Sequence, residues 1–280
     1  MTAPRKYLGL IFAIVFVFTN TVNLANAQGP TNFANCRLGV GGITNNVVGY
    51  NMSQLNLGRY LDWGARNPRP AGLAADIEYI LMVRVHQAKA DYGSGWYGPP
   101  RVYLDPPSYH VKPSLSTITT IAQSQPGMLW LIGNEIERVD YIKDGGYSGQ
   151  DEITPAVYAT AFHEIRNVIK TADPTARIAI GSIIEPTPLR LAYLDRVWDS
   201  YYNQYGYSMG QDIDVWNIHG FIIREVLNDW GAEIPAGFNN NDSDLTNNYD
   251  PADAFLATAN FQTLQNAHQD INYYRQHIEN

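Results

Sequence analysis

The sequence predicts an α/β protein built on a parallel sheet, and three observations carry that prediction. Short apolar, β-branched segments recur along the chain, helical patterns fall between them, and polar groups cluster where the apolar segments end. Strands buried on both faces read as continuous apolar runs. Glu78–His86 (EYILMVRVH) and Met128–Glu135 (MLWLIGNE) have that character. Arg37–Gly42, Leu57–Trp63, Arg177–Ile184 and Asp214–Phe221 complete a predicted set of six strands.

The helices follow from punctuation and spacing. Thr154-Pro155 places an N-cap residue before proline at the first helical position. Tyr158, Phe162, Ile165 and Ile169 then recur at helical spacing until Asp173-Pro174. Thr187-Pro188 opens a second helix with the stripe Leu191, Leu194, Val197, Trp198 and Tyr201. Leu115, Ile118 and Ile121 mark a shorter helix, and Phe261, Leu264, Ile271 and Tyr274 a last one. The asparagine-rich stretch Phe238–Asn248 reads as a polar loop.

Two parallel architectures compete. A doubly wound sheet would carry a glycine-rich nucleotide turn after its first strand, but Leu38–Ile43 matches no G-x-G-x-x-G or Walker pattern. A (β/α)8 TIM barrel instead collects polar groups at the C-terminal ends of several strands. Here the second strand ends in Asp62-Trp63, the third in His86, the fourth in Asn134-Glu135 and the sixth in Asn217-Ile218-His219, while Glu185 follows the fifth. The expectation is therefore a TIM barrel, incomplete, with about six βα units present.

Composition narrows the partners. The 280 residues carry 27 acidic and 19 basic side chains, a formal net charge of −8, which argues against nucleic acid as a partner. A 45% apolar, 16% charged composition argues against disorder, and the single cysteine, Cys36, cannot form an internal disulfide. Residues 1–27 read as a secretory signal peptide: Arg5 and Lys6, an apolar run from Leu8 to Phe18, then Ala25-Asn26-Ala27. Its cleavage would leave a domain over residues 28–280 with no stable membrane span, placed outside the cytoplasm, either secreted or periplasmic. An uncleaved N-terminal anchor is the rival reading.

The chemistry concentrates in Trp130-Leu131-Ile132-Gly133-Asn134-Glu135. A carboxyl at the end of an apolar strand is poorly hydrated. Desolvation raises its pKa and suits it to act as a general acid. Glycosidic bonds need such an acid, and a second carboxylate about 5–5.5 Å away for retention or about 6.5–9.5 Å for inversion. The neighbouring Asn134 can donate to a sugar hydroxyl. The competing reading makes Glu135 a solvated strand-end residue or an ion-pair partner of Arg138.

This stretch resembles the fourth strand of clan A retaining glycoside hydrolases, whose acid/base glutamate follows an asparagine. Trp130–Arg138 resembles a bacterial secreted branch of that superfamily, and Asp214–Glu225 (DVWNIHGFIIRE) its sixth strand. The resemblance implies a TIM barrel that hydrolyses O-glycosidic bonds, with Glu135 as acid/base and Asn134 and His219 on the substrate. It also implies a nucleophilic glutamate at the end of a seventh strand. No strand-like segment ending in Glu follows His219, so the sequence is expected to be a fragment lacking its last two βα units, and its activity is left open because the nucleophile strand is absent. Glu185 is the best internal substitute, although a loop carboxylate before Pro186 is the plainer reading.

Further substrate candidates are His86 and the long loop Gln87–Pro113, which holds Asp91, Tyr92, Trp96, Tyr97, Arg101 and Tyr103. Trp96 and Tyr97 in particular could stack on sugar rings, and the same aromatics could simply pack the loop. Trp130 and Trp216 read as core. The implied partner is an oligo- or polysaccharide, and no cofactor is called for. Two other functions stay open: a non-catalytic carbohydrate-binding barrel, and a metal-dependent hydrolase using His86, His219 and strand-end carboxylates. The latter lacks an H-x-H or H-E-x-x-H pair.

Overall fold

A computed structural model describes residues 37–42, 50–91, 102–139, 149–221, 223, 225, 231–238 and 275–276. Residues 1–27, Cys36, Tyr92, Trp96, Tyr97, Arg101, the asparagine-rich stretch beyond Phe238 and the predicted helix around Phe261–Tyr274 lie outside these residues.

The fold is mixed α/β with a mostly parallel sheet. Its strands are β1 (Gly39–Gly42), β2 (Arg59–Asp62), β3 (Glu78–Gln87), β7 (Leu129–Ile132) and β8 (Arg177–Ile180), in that spatial order and all parallel. The predicted sixth strand is met at two points only, as parallel bridges from Ala179 to Val215 and from Ile183 to Ile218. Asp214 explains the weak ladder at its start: its carboxylate, rather than a carbonyl, accepts the Ile178 N–H at 2.9 Å.

Each of these strands is shorter than predicted except β3. Three short strands were not anticipated, all within Gln87–Pro113. β4 (Lys89–Asp91) pairs antiparallel with β5 (Val102–Tyr103), and β6 (Tyr109–Lys112) pairs antiparallel with the end of β3. That long loop is therefore partly ordered sheet.

Three helices follow β3, β7 and β8 in turn: α1 (Leu115–Ser124), α2 (Pro155–Ala172) and α3 (Pro188–Tyr205). Consecutive helices pack on one another. The strict strand–helix alternation does not extend to β1–β3, where no helix occurs among the described residues. Pro68, Pro70 and Gly72 break any helical run before β3. The predicted caps of α2 and α3 work through proline alone. The Thr154 side chain makes no cap bond, and that of Thr187 is diverted to Glu225. Ser114 does cap α1, accepting from the Thr117 N–H.

Period-two alternation gives the sheet two buried faces. Tyr79, Leu81, Val83, Trp130, Ile132 and Ile178 join Tyr158, Phe162, Ile165 and Ile169 of α2 in the main core. Each such side chain stabilises by roughly 1.5–3 kcal/mol. The alternate residues Met82, Leu129, Leu131 and Ala179 form a smaller cluster with Leu61, Ile80 and Val215. Trp130 is core as expected, and Trp216 is partly buried and stacked on Trp198 at 5.4 Å. No helix among the described residues is long and apolar enough to cross a membrane.

Candidate active site

The turn after β7 is built around two glycines. Gly133 has φ +106°, and a Cβ there would sit 2.3 Å from Ile136 Cγ2; one on Gly181 would sit 2.4 Å from the same atom. Ile136 is fully buried between them, which brings the ends of β7 and β8 together. Gly133→Ala should cost at least about 2 kcal/mol, from a strained backbone plus overlap with Ile136. A denaturant midpoint within error of wild type would show that the turn relaxes freely.

Asp151 organises the adjacent backbone. Its carboxylate accepts from the N–H groups of Val85 (3.1 Å) and Asn134 (2.8 Å) and from Arg84 Nε (2.6 Å). Asn134 Nδ2 donates to the Gly149 carbonyl at 2.9 Å, while its Oδ1 is buried with no hydrogen-bond partner among the described residues. The open group is thus an acceptor rather than the expected donor.

Glu135 is buried, with φ +47°. Its Oε1 lies 3.0 Å from His219 Nδ1, and its Oε2 accepts from Arg138 Nη1 at 2.9 Å. Burial, the largest single influence, pushes this carboxyl upward. Hydrogen bonds from His219 and Arg138, reinforced by their charge, overcome it, and the pKa lies below the ordinary 4.5. The expectation of a raised value is corrected accordingly. Arg138 folds back because its N–H bonds the Glu135 carbonyl in a tight turn, and its Nη2 also reaches the Gly231 carbonyl. The arrangement brings Asn134, Glu135 and His219 together.

His86 is nearly buried beside Arg84, Lys89 and, across the β3–β6 ladder, His110. Burial, with help from the charges of Lys89 and Arg84, lowers its pKa to about 3, so it is neutral at any ordinary pH. Tyr103, another loop candidate, donates to Glu152 Oε1 at 3.0 Å, and Glu152 pairs with Lys89. Those contacts are structural.

Glu185 lies in the loop before Pro186, as its plainer reading has it, and is buried there, 3% exposed. It does not turn toward Glu135. Its Oε2 accepts from the Ile223 N–H at 3.0 Å, and it joins Glu137 and Glu225 around Arg190. Arg190 Nη1 donates to Glu137 at 2.7 Å, its Nε lies 2.6 Å from Glu225, and its Nη2 bonds the carbonyls of Ala232 and Glu233. Burial, then the Glu225 charge, raises Glu185 to about 8. With Arg190 among three buried carboxyls, Glu137 and Glu225 are pushed upward by burial as well. Sequence reasoning missed Arg84, Asp151, Glu137 and Arg190, because a buried ion pair has no local signature that separates it from surface charge.

Among the described residues no three His, Cys, Asp or Glu side chains are grouped to hold a metal ion. A groove of about 590 Å³ lies against Tyr109, Leu115, Val157 and Glu164 on the helical side, and none of Asn134, Glu135, His86, Glu185 and His219 lines it. Comparisons with protein-family models, characterised proteins and solved structures find no match to this chain.

Proposed function

We propose that this chain is a secreted, glycoside hydrolase-like protein of the (β/α)8-barrel type, acting on O-glycosidic bonds of an oligo- or polysaccharide by a retaining two-carboxylate mechanism. The observation that carries the reading is the convergence of Asn134, Glu135 and His219 at the C-terminal edge of a parallel sheet. The strand order β1-β2-β3-β7-β8, continued by the bridges at Val215 and Ile218, is the order that consecutive βα units of a barrel would produce. The leader-like residues 1–27 support export.

In this reading Glu135 protonates the leaving oxygen as the glycosidic C–O bond breaks, and a second carboxylate attacks the anomeric carbon. Glu135 then takes a proton from the water that displaces that carboxylate. Asn134 Oδ1 accepts from a sugar hydroxyl, and His219 orients Glu135. The second carboxylate is unassigned, since Glu185 faces Arg190.

A pH profile tests the role of Glu135. An acid must be protonated, and Arg138 and His219 hold this one below 4.5. Hydrolysis should therefore be fastest at acidic pH and fall as pH rises. Arg138→Met removes a cation, raises the pKa, and should move that falling limb of kcat/KM to higher pH. A limb that stays in place would remove Glu135 from the acid role. The Arg138 ion pair equally favours a second reading, a carbohydrate-binding barrel without turnover. Saturable oligosaccharide binding with no product at any pH would select it.

A further inference from the structure

At the C-terminal end of β2, beside β3 and β6, a cavity of about 370 Å³ is lined by Asp62, Trp63, Arg66, Arg84, Lys112 and Pro113. Its size falls within the range of small-ligand pockets. Trp63 is 43% exposed, a large aromatic face left open to solvent. The charges around it are unequal. Asp62 pairs with Arg66 at 2.9 Å, and Arg84 with Asp151 at 2.6 Å. Lys112 is exposed, and no carboxylate pairs with it among the described residues. It stands directly opposite Arg84 in the antiparallel β3–β6 register. Asp151 already balances Arg84, so the charge left uncompensated at the cavity is that of Lys112. In a chain of net charge −8, this is a local cationic site beside an open indole.

The cavity adjoins the Glu135 turn. Arg84 Nη2 and Asn134 Nδ2 donate to the same Gly149 carbonyl, at 3.1 and 2.9 Å. Asp151 likewise holds both Arg84 Nε and the Asn134 N–H.

We propose that this cavity is a subsite for an acidic sugar, one carrying a carboxylate or a sulfate ester, with its ring on Trp63 and its anion on Lys112 and Arg84. The inference rests on the carbohydrate reading above and adds the substrate class.

Calorimetric titration of the full chain with three probes tests it: an oligogalacturonate, a sulfated galactan oligosaccharide and a neutral cello-oligosaccharide. At low salt at least one acidic probe should bind about fivefold or more tightly than the neutral one, and the advantage should fade as salt screens the charges. Lys112→Met should abolish the advantage and leave neutral binding unchanged; Trp63→Ala should weaken all binding. Both side chains are exposed, so unfolding midpoints should match wild type. The identity of the better acidic probe separates carboxylate from sulfate. Equal binding of acidic and neutral probes, or an advantage that survives Lys112→Met, overturns the subsite and leaves the glycosidase reading intact. Acid-selective binding that needs Lys112, with no hydrolysis by wild type, upholds the subsite and overturns the glycosidase reading. No binding of any probe overturns both.

Discussion

Glu135→Gln should lower hydrolysis of an unactivated glycoside by about a hundred- to ten-thousand-fold, the usual contribution of a positioned acid/base. The loss should be smallest on aryl glycosides whose leaving group needs no protonation. The amide is nearly isosteric and can still meet both Arg138 and His219, so the fold should survive. A circular-dichroism melt close to that of wild type would confirm that the loss is chemical. The leaving-group dependence is the informative part. A carboxylate that only holds Arg138 in place would, when replaced, depress all substrates alike. Wild-type rates on poor leaving groups would end the assignment of Glu135, whatever the stability of the variant.

The parts of this molecule legible in the sequence are those whose signal is local. β3, β7 and β8 announce themselves because both faces are buried, so apolar residues run consecutively, as in Tyr79–Val83. Pro155 and Pro188 fix two helix starts for steric reasons. The junction of Gly133 with Asn134-Glu135 is readable because only glycine tolerates that backbone beside Ile136.

What was not legible depends on partners distant in the chain. The sign of the Glu135 shift is set by His219, 84 residues away, against a desolvation that acts the opposite way. The Arg138 ion pair was visible as an alternative, since three residues separate the two groups. Arg190 stands between Leu189 and Leu191 at the start of a helix and reads as part of a solvated face, yet it is completely buried. β5 and β6 are too short for a period to emerge from sequence.

Arg190→Leu should destabilise the fold by roughly 3–5 kcal/mol, the expected cost of leaving buried charge without its partner. The guanidinium is fully buried and serves Glu137, Glu225 and two carbonyls of the 231–238 segment at once. Its removal leaves Glu137 and Glu225 without the counter-charge they pair with, and repulsion between them adds to desolvation. Adding Glu137→Gln and Glu225→Gln to Arg190→Leu should recover a large part of the loss, because the buried charge is then gone. A loss caused by helix packing would not be rescued. The same cluster sets a pH dependence. Glu185 keeps a folded pKa of about 8 against an ordinary 4.5, so between those values the folded chain binds the extra proton. Stability from this group is full below about 4.5 and is lost as pH rises toward 8, by up to about 1.4 kcal/mol per pH unit. Urea midpoints measured at intervals from pH 5 to pH 8 should decline for wild type and flatten for Glu185→Gln. A wild-type midpoint that rises over this interval, or an equal slope in the variant, would mean that the proton resides elsewhere and that the three carboxyls are not held around Arg190 as described.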